Sequence, residues 1–151
     1  MKQNPKPNIR GFTLVELVSV MVIGGILASM VAPRFFDRNA FERRGFYDQV
    51  IATLRYAQKA AIAQNRFVCV AFSDISLTLT YAATNACPGS NLTSPTGLSP
   101  YTVSSPGADV RLSGYLPLYF DALGRPNRAQ SITVSGYAAP VTIEAETGYV
   151  H

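Results

Sequence analysis

A single carboxylate, Glu16, interrupts an otherwise apolar run from Thr13 to Ala32 in this 151-residue chain. An acid in the middle of a membrane-length helix costs about 2.5–3.5 kcal/mol on insertion scales, so it marks a functional site whose counter-charge has to be named. No Lys or Arg lies between Gly11 and Pro33. The cation that could arise beside Glu16 is a new α-amine, released if the chain is cut between Gly11 and Phe12. Phe12 and Glu16 are one helical turn apart, so that amine could meet Glu16 of its own chain or of a neighbouring subunit. A second reading places Glu16 among lipid headgroups, where it needs no partner.

The element that carries Glu16 follows from length and charge. The apolar run of about twenty residues, coiled as a helix, covers roughly 30 Å, the hydrocarbon thickness of a bilayer. Ahead of it, Met1 to Gly11 holds Lys2, Lys6 and Arg10 and no acid. That excess of positive charge keeps this end in the cytoplasm and sends the rest of the chain across. A cleaved secretory signal has an apolar core of only about 7–15 residues and a small-residue cleavage site, which Ala28-Ser29-Met30 and Met30-Val31-Ala32 match poorly. Gly24, Gly25, Ala28 and Ser29 permit close approach between helices.

A second helical pattern follows. Tyr47, Val50, Leu54, Ala57 and Ala61 recur at steps of three and four, with Ile51 and Ile62 widening the stripe and Arg43, Arg44, Asp48, Arg55, Lys59 and Arg66 opposite. This is an amphipathic helix with one face for a sheet. Pro33 and Gly45 are expected to bend or partly melt it. Helical structure from Phe12 to about Asn65 would be roughly 80 Å long, so its first half must find partners in lipid or in other subunits.

After Arg66 the period becomes alternating. Phe67–Phe72, Leu77–Tyr81, Val110–Leu112, Leu118–Phe120, Ile132–Val134 and Val141–Ile143 read as short antiparallel strands. The stretch from Ala82 to Gly107, rich in Asn, Pro, Ser and Thr, reads as loop, either a variable surface or a place for binding specificity. The expected fold is α+β, a long helix packed on a small antiparallel sheet. Its divisions are a leader at 1–11, a membrane or core helix at 12–32, an amphipathic stalk at 33–66 and a β head at 67–151.

The remaining reactive side chains are few. Cys69 and Cys87 both fall on the translocated side, where thiols oxidise, and a bridge between them closes a loop worth about 3 kcal/mol. Two cysteines and one histidine, His151, do not make a metal site. Glu144 and Glu146 share one face of an expected strand, a solvated edge rather than a catalytic dyad. No Ser, His and acid set and no phosphate-cradling glycine motif is present, so neither an enzymatic function nor a cofactor is expected.

Gly11-Phe12-Thr13-Leu14-Val15-Glu16-Leu17, behind a basic leader and ahead of an apolar helix, resembles the processing site of type IV prepilins and type II secretion pseudopilins. The resemblance implies that a prepilin peptidase cuts after Gly11 and N-methylates Phe12, and that Glu16 pairs with a neighbour's N-terminal amine during assembly. It implies a single-pass protein of the bacterial inner membrane with a periplasmic head, later incorporated with other pilin or pseudopilin subunits into a filament. Cutting at Gly11 also changes the charge argument. Of 13 basic and 9 acidic residues, three basic ones belong to the leader, so net charge is no argument for nucleic acid. What remains is a basic stalk and a mildly acidic head.

Phe120-Asp121-Ala122-Leu123-Gly124-Arg125-Pro126, with Thr147-Gly148-Tyr149-Val150 near the C-terminus, resembles the head of GspH/FimT-type minor pilins, most of all those of the mannose-sensitive haemagglutinin (MSHA) system. Two other roles come with that group. One is a type II secretion pseudopilin of the GspH type. The other is a FimT-like DNA-binding pilin, whose arginine motif Gly124-Arg125-Pro126-Asn127-Arg128 nearly matches. Arg125 and Arg128 could contact phosphates, but the head is net acidic, and a solvated turn is the stronger reading of Arg125.

Overall fold

A computed structural model describes residues 11–151, apart from the side chains of residues 30–38. The leader expected at residues 1–10 lies outside the described residues. The chain divides into two compact units, one ending at Arg38 and one running from Asn39 to His151.

One helix, α1 (Leu14–Gln64), passes through that division. It stays helical through both Pro33 and Gly45, so the expected melting does not occur. At Gly45 the reason is visible in its neighbour. Phe46 is 1% exposed, and burying an aromatic side chain gains about 1.5–3 kcal/mol against the ~1 kcal/mol that glycine costs a helix. The helix stops at a Schellman cap: Asn65 takes a left-handed φ of 50°, its N–H donates to Ile62 O at 3.2 Å, and the Arg66 N–H donates to Ala61 O at 3.2 Å.

Eight strands follow: β1 (Phe67–Ser73), β2 (Ser76–Ala82), β3 (Ser90–Asn91), β4 (Tyr101–Ser104), β5 (Leu112–Ser113), β6 (Leu118–Phe120), β7 (Gln130–Val134) and β8 (Val141–Ile143). They form two antiparallel sheets, where one was expected. In the larger, β1 lies between β2 and β6, and β3 and β4 follow one another along the far edge of β2. The smaller runs β5-β7-β8, with Val150 bridging onto β8 at Ile143.

The helix stripe packs against both sheets. Val50, Leu54, Ala57 and Ala61 are fully buried among Val68, Leu79 and Phe120 of the large sheet and Ile132, Val141 and Ile143 of the small one. Tyr47 and Ile51 pack only partly, and Ile62 is half exposed.

Two expectations are corrected here. The stretch 82–107 is not all loop, because β3 and β4 pair with β2 within it. Leu92 is buried, and the Tyr56 hydroxyl donates to Thr93 O (3.0 Å), so the segment is fastened to the helix. Glu144 and Glu146 do not share a strand face, since β8 ends at Ile143 and residues 145–147 form a turn.

Gln58 fixes that turn. Its Nε2 donates to Gly124 O (3.1 Å) and to Thr147 O (2.8 Å). Gly124 (φ 78°) and Gly148 (φ 65°) both need the left-handed region, and a Cβ on Gly124 would lie 2.7 Å from Ile62 Cδ1. Glycine here allows two turns to stack on one helical face.

Replacing Leu54, wholly enclosed between helix and sheets, by Ala should destabilise the full chain by about 2–5 kcal/mol, while the exposed Lys59→Ala should stay within about 0.5 kcal/mol. Urea denaturation of the detergent-solubilised protein reads both values, and equal midpoints would contradict this packing.

Candidate functional site

The N-terminal candidates sit at the start of α1. Helical geometry begins at Leu14, not Phe12, because Thr13 serves as the N-cap: its hydroxyl accepts the Glu16 N–H (3.3 Å) and its carbonyl accepts the Leu17 N–H (3.1 Å). Thr13 and Glu16 thus hold the spacing of a capping box, a role the sequence reading missed although the Thr-x-x-Glu pattern was its signal. It places the Glu16 carboxylate in the first turn, where the partial positive charge of the helix N-terminus favours an acid by about 0.3–1 kcal/mol.

Around it, every described residue from Gly11 to Ser29 is exposed. Phe12 is 81% exposed and Leu14 78%. Solvent-facing apolar residues in this density mark a surface meant to be covered. A Cβ on Gly24 or Gly25 would meet nothing within 4 Å, so packing within this chain does not require their small size. Among the described residues no helix is long and apolar enough to cross a membrane. Of the span expected over 12–32, helical backbone runs from Leu14 onward, and side chains are described as far as Ser29.

In the second unit Cys69 and Cys87 are joined by a disulfide. It ties the loop after β2 to β1, with the sulfur of buried Cys69 on one side and exposed Cys87 on the other.

Arg125 and Arg128 are not brought together as a phosphate clamp. The Arg125 guanidinium is spent on Asp121, with Nε and the terminal nitrogen both 3.1 Å from Oδ2. Asp121 Oδ1 accepts the N–H groups of Leu123 (2.9 Å) and Arg125 (2.8 Å), closing the turn after β6. Arg128 lies exposed beyond it. Partial burial by itself would push the Asp121 carboxyl up. The two backbone N–H groups and the Arg125 side chain outweigh that and hold it below the usual carboxylate range.

A hollow that the sequence did not suggest lies on the outer face of the large sheet. It encloses about 510 Å³ between the disulfide loop and residues 115–117, over Cys69, Ala71 and Tyr119. Tyr115 at its rim donates its hydroxyl to Asp74 Oδ1 (2.7 Å). That hydrogen bond, then burial and the Asp74 charge, raise its pKa above the usual tyrosine value.

Three likenesses bear on these features. Residues 6–32 match the prokaryotic N-terminal methylation motif. Over 55 residues the chain is 40% identical to the type IV narrow pilus major component PilA5 of Thermus thermophilus, covering 36% of this chain and 47% of that protein. The chain thus spans about half the length of this curated relative. The fold is similar to that of the type IV minor pilin FimU of Pseudomonas aeruginosa, with a TM-score of 0.57 and 16% identity over 78% of this chain and 90% of that one. Long helix first, antiparallel strands after, is the architecture of that minor pilin, and neither motif nor fold is that of an enzyme.

Because the folded carboxyl of Asp121 titrates lower than an unfolded one, its contribution to stability is fully present above about pH 4 and disappears as pH falls through the lower folded value. Asp121→Asn should therefore flatten the acid limb of a stability-versus-pH curve. An unchanged acid limb would show that the turn does not depend on this charge.

Proposed function

We propose that the chain is a structural subunit of a type IV pilus, of minor-pilin type, made as a precursor. A prepilin peptidase cuts after Gly11 and methylates the amine of Phe12. Before assembly the apolar helix anchors the subunit in the bacterial inner membrane with the head outside. On assembly the helix leaves lipid for a bundle of like helices, and the Phe12 amine of one subunit answers Glu16 of another.

The observation that carries this reading is the match of residues 6–32 to the methylation motif, on a helical segment whose apolar side chains the chain itself leaves exposed. Physical cost argues the same way. A carboxylate taken out of water without a counter-charge is penalised by several kcal/mol, and cleavage at Gly11 would supply an amine four residues ahead of it.

The two named likenesses, to a narrow-pilus component and to a type IV minor pilin, favour a pilus over a type II secretion filament. Assignment to an adhesion pilus of the MSHA type rests on the resemblance of Phe120–Pro126. The DNA-uptake reading loses support, because Arg125 is already neutralised by Asp121.

Gly11→Val should block maturation, and N-terminal sequencing that still began at Phe12 would refute the cleavage site. Glu16→Val should leave the protein cleaved and membrane-bound yet sharply reduced in sheared filaments. Incorporation at the wild-type level would sink the pairing with the Phe12 amine.

A further inference from the structure

The hollow on the outer sheet face continues into a second one, of about 400 Å³, with which it shares Asn85, Tyr119 and Asn127. Together they make a trench along β1. The floor is low at Ala71, a small exposed residue where a sheet face usually carries a larger side chain, and beside it the buried Cys69 is bridged to Cys87. From Ala71 to Phe67 it follows about 13 Å of strand, the reach of four or five residues of extended chain.

The two ends differ in charge. Around Ala71 the described lining is uncharged and mostly apolar, including Tyr115, Leu116, Pro117 and Pro88. Around Phe67 it holds Asp121, Arg125 and Glu146. Asp121 and Arg125 cancel one another in their ion pair, which leaves the Glu146 carboxylate as the net charge of that end.

The walls are held before any ligand arrives. The disulfide fixes one side. On the other, Asn127 Oδ1 accepts the Tyr119 N–H (3.2 Å) and its Nδ2 donates to Pro117 O (3.1 Å). Preorganisation of this kind lowers the cost of binding.

We propose that this trench binds an extended peptide segment of another protein, with apolar residues, proline included, at the Ala71 end and a Lys or Arg at the Glu146 end. Aromatic and proline side chains around the Ala71 end suit an extended or proline-rich segment, and the polar, charged far end sets the direction in which the peptide lies. The assignment does not depend on pilus assembly, and its test can fail while the processing reading stands.

Random hexapeptides displayed on phage, panned against the detergent-solubilised full chain, should enrich sequences with an apolar stretch followed by a basic residue. Ala71 and Glu146 are both exposed, so Ala71→Trp fills the trench and Glu146→Lys reverses its charged end without disturbing the core. By fluorescence anisotropy an enriched peptide should lose affinity about tenfold or more on Ala71→Trp. Glu146→Lys should shift the preferred terminal residue from basic to acidic. No enrichment, or affinity indifferent to both changes, would overturn the proposal. So would oligosaccharide binding on a glycan array that Ala71→Trp abolishes, which would hand the trench to a sugar.

Discussion

Burial of one stripe of α1, from Phe46 to Ala61, is the interaction on which the second unit depends. Neither sheet could enclose a core alone, since β5, β7 and β8 amount to ten residues in all. The helix gives both sheets a common surface. Within a turn and a half it also gathers three distant segments by hydrogen bonds: Thr53 to the Tyr101 hydroxyl (3.3 Å), Gln58 to the Gly124 and Thr147 carbonyls, and Arg55 to Val150 O (3.0 and 2.9 Å). Each of those partners is a backbone carbonyl or a tyrosine hydroxyl that would otherwise be left without an intramolecular partner. The stretch from Thr53 to Gln58 thus contributes packing through Leu54 and Ala57 and anchoring through Thr53, Arg55 and Gln58.

The first part of α1 obeys the opposite rule. Its side chains from Leu14 to Ser29 find no cover in their own chain, and its glycines are not needed for packing within it. One helix therefore carries two kinds of sequence. Apolar residues run all round where cover must come from elsewhere, and in a single stripe where the sheets provide it.

That contrast explains which features were legible. Periodicity located the stripe and five of the eight strands, because burial on one side imposes a period of 3.6 or 2, while the strand expected at Val110–Leu112 meets β5 only at Leu112. It missed Phe46, which lies one residue before Tyr47 in the stripe, because both are aromatic and sequence spacing alone cannot tell which ring faces the core. It missed β3 and β4, because a two-residue strand has no period and β4 shows its alternation only as Tyr101 and Val103. The trench was illegible for a different reason. It is made by what is absent, a large side chain at Ala71, between walls set by residues 85–88 and 115–117 that only the tertiary fold brings together. At Arg125 the sequence showed a cation and a turn, whereas the acid that occupies it, Asp121, was visible four residues earlier and was not connected to it.

Glu16 holds two meanings that the capping geometry reconciles. In the first turn of α1 a carboxylate is favoured by the unpaired N–H groups of the helix end, so the residue is tolerable in a single chain. That benefit is about 0.3–1 kcal/mol, well below the 2.5–3.5 kcal/mol charged for an acid deep in hydrocarbon. Capping alone therefore does not account for keeping an acid in a segment that is otherwise apolar for a whole span. A full positive charge would, and in the proposed processing the amine of Phe12 is the new cation, four residues ahead of Glu16. In the proposed filament each subunit would bring one amine and one carboxylate, so pairing between neighbours would leave every interior subunit satisfied on both counts. A subunit misplaced along the axis would bury both charges unpaired. On this argument the acid contributes less to holding the helix together than to setting the register in which helices meet.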